Sequence, residues 1–271
     1  MIKIGLGLGS TYFSSARSSS VLPFDPLSLS PALWLSDTGS DPAVWSDISS
    51  NGRNATQATS TRRPMIITGG LNGRQVRRFD GVDDSFSLTT GLGMFRNVAG
   101  ATVIAVYKWI SNPLIFQTVF LATTGAGFTR CQIGGGITAR KLATGGRRLD
   151  GDAFARADSS ADNSNSFFVH AGVIDYANSD VFQYVNGILD GVNTSFQTDG
   201  NTSDTDSSAI TIGSAPDLSA CANVDIAEIL VFPRVLSATE RQAVETYLLN
   251  KWSITPWNDS ATWNDSATWV D

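Results

Sequence analysis

The sequence predicts an all-β chain: an antiparallel β-sandwich (jelly roll) with one C-terminal α-helix and extended N- and C-terminal arms. Three observations predict it. Short runs rich in Val, Ile, Thr and Phe recur between clusters of Gly, Asn, Asp and Ser. Asn186-Gly187 lies between two of these runs and is the favoured two-residue hairpin turn, since both positions need φ > 0. Only after Ser237 do a helix start signal and a helical stripe coincide. A length of 271 residues suits one large all-β domain, and 42% hydrophobic residues suffice for its core. The chain divides into an N-terminal docking arm or linker (1–30), a jelly-roll domain (31–256) and a Trp-repeat tail (257–271).

The arm opens with Ile2, Ile4, Leu6 and Leu8, the last three alternating with Gly5, Gly7 and Gly9. This reads as a strand with one bare face, which another backbone can approach closely. The glycines interrupt the apolar run and no small-residue cleavage site comes after it, so no signal peptide is expected. Ser14, Ser15 and Ser18 to Ser20 form a polar linker, and Pro23, Pro26 and Pro31 stiffen the approach to the domain. A docking arm and a leader without a fixed partner are both compatible with this pattern.

Candidate strands are 33–35, 65–68, 75–79, 85–88, 101–108, 119–123, 129–133, 167–176, 181–185, 188–192, 210–213 and 225–232. Gly134 to Gly136 and Gly145-Gly146 read as turns. Ser237 and Glu240 form a capping box that satisfies free N–H groups reciprocally. Val244, Tyr247, Leu248, Lys251 and Trp252 then mark one face, and Pro256 prevents continuation. In the tail Trp257, Trp263 and Trp269 recur every six residues, so an extended chain would present all three on one face. Three exposed Trp in so short a segment require a contact: the parent domain, a neighbouring copy or a ligand.

Charge excludes some functions. The net charge is −6, and charged residues are only 16% of the chain, against about 25% in an average domain. An acidic chain argues against non-specific nucleic-acid binding. No apolar run approaches the ~20 residues of a membrane-spanning helix, so no membrane insertion is expected. Residues 157–233 hold 11 acids and no Lys or Arg, whereas Arg53, Arg62, Arg63, Arg74, Arg77 and Arg78 crowd one earlier segment. Those arginines are read either as an interface or as partners of the acidic segment. Arg77 and Arg78 are adjacent, so in a strand they face opposite ways. Cys131 and Cys221 lack metal spacing and read as two buried thiols, with a disulfide outside the cell as the alternative. His170, within Phe167-Phe168-Val169-His170, reads as a structural strand residue.

An ordered series of motifs carries a resemblance. It comprises Leu33-Trp34-Leu35, Trp45 to Gln57 with its Ser50-Asn51-Gly52-Arg53-Asn54 centre, and Arg78-Phe79-Asp80-Gly81-Val82-Asp83-Asp84. It continues through Tyr184-Val185-Asn186-Gly187, Thr211-Ile212-Gly213 and Ile226 to Phe232, and ends in the helix from Leu236 to Trp252. The series is similar to the concanavalin A-like lectin/glucanase superfamily, in its LamG-like jelly-roll branch. The resemblance implies two stacked antiparallel sheets with a shallow concave face. Such domains occur in secreted bacterial proteins and in bacteriophage virion proteins.

The glucanase-type pair of carboxylates is not expected. The chain has only Glu228, Glu240 and Glu245, with Glu240 in the cap. Asp225 and Glu228, three apart on one strand, should face opposite ways, and Glu228 should pair with an arginine. The expectation is therefore no enzyme. It is a virion structural protein exposed on a particle: a head decoration protein, a head fibre or a tail-fibre subunit. It would assemble in the host cytoplasm and dock on other virion proteins, or on its own copies as a homo-oligomer, through the two arms. A soluble lectin-like protein is the alternative and a polysaccharide-degrading enzyme the weaker one. Host surface glycans are candidate partners, with Tyr107 and Trp109 as candidate stacking residues. No cofactor is expected. Asp80, Asp83 and Asp84 are calcium candidates, with turn capping by Asp80 as the competing reading.

Overall fold

The computed structural model describes residues 24–255 except 112–115, 125–127, 137, 139–140, 161–165 and 196–197. In chain order the strands are β1 (Leu33–Leu35), β2 (Val44–Trp45), β3 (Ala55–Thr56), β4 (Met65–Leu71), β5 (Arg74–Asp80), β6 (Phe86–Leu88), β7 (Gly100–Trp109) and β8 (Thr118–Thr124). They continue with β9 (Phe128–Gly135), β10 (Leu142–Gly146), β11 (Ala155–Asp158), β12 (Phe168–Asp175), β13 (Asp180–Val185), β14 (Ile188–Asn193), β15 (Ala209–Ile212) and β16 (Asn223–Phe232). The helix α1 (Ala238–Trp252) comes last. Two eight-stranded antiparallel sheets result. One runs β14-β13-β12-β7-β16-β5-β4, with β1 also on β16; the other runs β11-β10-β9-β8-β15-β6-β3-β2. The expected all-β sandwich with one C-terminal helix is what the chain forms.

The core has two layers because the first sheet is covered on both faces. Val103, Ala105, Tyr107 and Trp109 of β7 point between the sheets, while Ile104 and Val106 point to the side that α1 covers. That double burial explains why the β7 sequence is almost continuously apolar rather than alternating. His170 bridges the sheets. Its Nδ1 hydrogen-bonds the Tyr107 hydroxyl at 2.8 Å, and its Nε2 lies 3.1 Å from the Thr144 hydroxyl of β10. Burial lowers its pKa to about 4, so it is a neutral structural residue, as expected. Cys131 and Cys221 are buried free thiols.

Four strands lack a clear sequence signal: β2, β3, β10 and β11. The first two are only two residues long. In β10 the pair Gly145-Gly146, which reads as a turn, is instead strand, and Gly134-Gly135 end β9. A Cβ on Gly146 would collide with the Arg130 carbonyl of β9, so these glycines permit close backbone approach within the sheet.

The helix stands as read: Ser237 Oγ accepts from Glu240 N–H and Glu240 accepts from Ser237 N–H. Its stop differs, because Ser253 in a left-handed conformation caps it before Pro256. One residue fixes it to the sheet. Glu228 on β16 is fully buried and accepts from the indole N–H groups of Trp34 on β1 and Trp252 on α1, each at 2.5 Å. Lys251 Nζ lies 2.8 Å from the same carboxylate. This corrects two expectations. Glu228 pairs with a lysine rather than an arginine, and it shares a face with Asp225. The cause is a bulge at Ala227: Asp225 is opposite Lys108 and Glu228 opposite Val106, so the odd spacing spans an even number of partner positions.

Removing the Glu228 carboxylate leaves two buried indole donors without an acceptor and takes from Lys251 one of its two carboxylates. Glu228→Ala is therefore expected to cost about 3–5 kcal/mol in urea denaturation. Glu228→Gln, which keeps one acceptor, is expected to cost clearly less.

Candidate functional site

The sequence between β2 and β3 folds into a loop organised by one carboxylate. Asp47 Oδ1 accepts from the backbone N–H groups of Trp34 (3.0 Å) and Ser49 (2.9 Å). Its Oδ2 accepts from Ser49 Oγ and from Arg53 N–H, both at 2.9 Å. Asn54 Oδ1 receives Asp47 N–H in return. Ser50 and Gly52 take positive φ to complete the turn, so Asn51-Gly52 is a turn as read. Asn51 then ties the loop outward, its amide donating to Pro31 O at 3.1 Å and to Ser49 Oγ at 2.9 Å.

This loop forms one wall of a cleft of about 540 Å³, within the range of small-molecule sites. Ser30, Ser49, Ser50, Asn51 and Arg53 are its polar lining residues, and Leu27, Pro31, Met94 and Pro233 are apolar ones. Arg53 Nη1 donates to Ala32 O at 2.6 Å. The stem of Arg53 lies where a Cβ on Gly91 would sit. Gly91 is doubly constrained, since its φ is also +75°. Gly91→Ala is expected to lower stability by more than about 1 kcal/mol in chemical denaturation and to displace Arg53.

The other site candidates fare differently. Tyr107 and Trp109 are corrected: they are 0% and 2% exposed, packed edge-to-face at 5.4 Å between the sheets, and cannot stack on a sugar. Their positions on β7 put them on the inner face. Ile2, Ile4, Leu6, Leu8, Trp257, Trp263 and Trp269 lie outside the described residues. Phe24 and Leu29, just after the N-terminal segment, pack on the layer beneath α1. Phe24 meets Tyr247 edge-on at 6.5 Å.

Asp80, Asp83 and Asp84 do come together, with carboxylate oxygens within 4.8 Å of one another. They also build the turn after β5. Asp80 Oδ1 accepts from Val82 N–H at 2.8 Å, and Asp84 Oδ2 accepts from Asp80 N–H at 3.0 Å. Arg62 lies 3.7 Å from Asp83, so a cation there would compete with a guanidinium. Burial, followed by the charge of Asp80, pushes the Asp84 carboxyl up to about 6. An acid raised above its unfolded value of about 4 contributes stability that is complete below that pH. The contribution is lost as pH rises through about 6. Asp84→Asn is therefore expected to raise Tm at pH 8, with the gain fading toward pH 4, in thermal melts across that range.

The crowded arginines find partners inside the chain. Arg62 meets Asp83, Arg74 meets Asp37 and Arg78 meets Asp225. Arg63 donates to Gln57 O, and Arg77 is buried beside Trp45 and Phe86 with N–H groups on Asp41 O and Val44 O. Arg53, Arg63 and Arg77 pair with no carboxylate among the described residues, and of the three Arg53 lines the cleft. All three glutamates are engaged: Glu228 as above, Glu240 with Arg234, and Glu245 with Arg241. Sequence reading marked Asn51 as a turn and Arg53 as one of a cluster, and missed the site they form. The pointer was Asp47, Asn51 and Arg53 within seven residues.

Solved structures share this fold. The Trypanosoma rangeli sialidase in complex with the inhibitor DANA superposes with a TM-score of 0.54 and 15% identity, over 79% of this chain and 32% of that one. The botulinum neurotoxin serotype D binding domain gives a TM-score of 0.59 and 12% identity, over 83% and 53%. The binding domain of Paraclostridial Mosquitocidal Protein 1 gives the same figures: 0.59, 12%, 83% and 53%. The chain thus spans from about a third to about half of these structures. At such identities the likeness shows the fold alone, a β-sandwich of lectin-like type. The sequence matches no protein-family model and no curated protein.

Proposed function

We propose that this chain is a non-enzymatic glycan-recognition module displayed on a larger assembly. One observation carries the reading: a preformed cleft lined by hydroxyl, amide and guanidinium groups together with apolar groups. Sugars present that combination of hydroxyl edges and C–H faces. Two further facts support it. Each glutamate is held in a structural contact, which leaves no glutamate for an acid/base pair. One of the fold neighbours is a botulinum neurotoxin serotype D ligand binding domain in complex with N-acetylneuraminic acid.

The assembly we propose is a bacteriophage particle, one of the two contexts in which the LamG-like domains that this sequence resembles occur. The described chain begins and ends beside α1: Phe24 packs on Tyr247, and Ile254 N–H donates to Leu249 O at 2.9 Å. Extensions from both ends therefore leave from one region, where they could dock on other virion proteins or on further copies.

The full chain is expected to bind a subset of glycans on a host-surface array at micromolar to millimolar affinity, with no reducing ends released from the same polysaccharides. Light scattering after size exclusion should give a mass above one chain. Absence of glycan binding would sink the recognition role; reducing-end release would sink the non-enzymatic one.

A further inference from the structure

The cleft beside the 47–53 loop has a chemical bias that the fold does not require. The protein carries net charge −6, and Arg62, Arg74, Arg78, Arg96, Arg156 and Arg234 each reach a carboxylate. Arg53, like Arg63 and Arg77, reaches none among the described residues, and of these three it is Arg53 that lines a cleft wide enough for a ligand. One of its five N–H donors is used, by Ala32 O. Around it the available groups are neutral. The hydroxyls of Ser30 and Ser50 have no hydrogen-bond partner among the described residues, and neither has the Asn51 carbonyl oxygen. The cleft therefore offers one fixed positive fork among groups suited to hydroxyls.

We propose that this cleft binds an acidic sugar, with the carboxylate on Arg53. The planar guanidinium matches a carboxylate with two parallel N–H···O bonds, which a lysine cannot reproduce. Ser30, Ser50 and the Asn51 carbonyl meet the ring hydroxyls, and Leu27 and Met94 take a C–H face. A single cation suits a monoanion; a phosphate would carry nearly twice the charge. The loop is already held by the four hydrogen bonds to Asp47, so binding needs little ordering. The inference rests on the glycan-recognition reading and names the ligand class of that site.

The test is titration calorimetry on the full chain with glucuronic acid and N-acetylneuraminic acid, each beside its methyl ester, and with inorganic sulfate. The acids should bind at least about tenfold more tightly than the esters. Arg53→Gln should lose at least about tenfold toward the acids, and Arg53→Lys should recover only part of that loss. Leu27→Trp fills the cleft without touching the Arg53 bond to Ala32. It should abolish binding while Tm stays unchanged. Equal binding of acids and esters, or wild-type affinity in Leu27→Trp, would overturn the inference and leave glycan recognition standing. Sulfate binding as tight as that of the sugar acids would overturn it too, by assigning the site to any anion. No binding of any charged or neutral glycan by the wild type would overturn both.

Discussion

The Glu228 carboxylate is the constraint on which the architecture turns. A buried charge costs several kcal/mol unless paired and hydrogen-bonded. Here the compensation comes from three separate parts of the chain: β1 through Trp34, α1 through Trp252 and Lys251, and β16 itself. All three donors meet on one carboxylate, so the node couples elements 194 residues apart in sequence. Lys251 extends it, since the ammonium also lies 3.2 Å from Asp37, which Arg74 holds in turn at 2.9 Å. Burial alone would raise the Asp37 carboxyl, but Arg74 and Lys251 outweigh it and hold the group down at about 2. The helix therefore closes the sandwich through a charged lock as well as an apolar stripe.

The charge asymmetry of the sequence resolves in the same way. Arg78 and Lys108 converge on Asp225, and Arg96 reaches Asp204, so basic early segments neutralise the later acidic one within the fold. The surface pairs add little stability singly. Their larger effect is on recognition: they take many arginines out of the set available to a partner, and of Arg53, Arg63 and Arg77, which pair with no carboxylate among the described residues, Arg53 lines the cleft.

Much of the fold was legible because periodicity reports burial. The twelve strand runs, the Asn186-Gly187 turn and the Ser237 capping box each have a local physical cause, and each appears in the structure. What was not legible depended on neighbours. The bulge at Ala227 inverts the face of Glu228, and nothing in the residues 225–228 announces it; the partner register on β7 does. Gly145-Gly146 carry no side chain to alternate, so β10 looks like a turn until β9 presses against it. Tyr107 and Trp109 look like surface aromatics because either face of β7 accepts large apolar groups. The candidate site was hidden for a related reason. Asn51-Gly52 could be seen to form a turn, but Asp47 organises the loop around it, and Ser30, Met94 and Pro233 meet it, only in three dimensions.

Why recognition should fall on that loop is explained by the packing of the sheets. In the second sheet Leu121, Thr123 and Thr211 alternate with core residues, yet they are only 4%, 4% and 2% exposed. The middle of that outer face therefore offers few side chains to a ligand, and the other sheet is covered in part by α1. Variation in ligand contacts is left to connections between strands, which can change without disturbing the core. Among these, the 47–53 loop combines rigidity with groups that the fold does not use. Asp47 fixes its backbone and Gly91 makes room for the arginine stem. The guanidinium that results is positioned by neutral contacts alone, so its charge remains available to an acid from outside the chain.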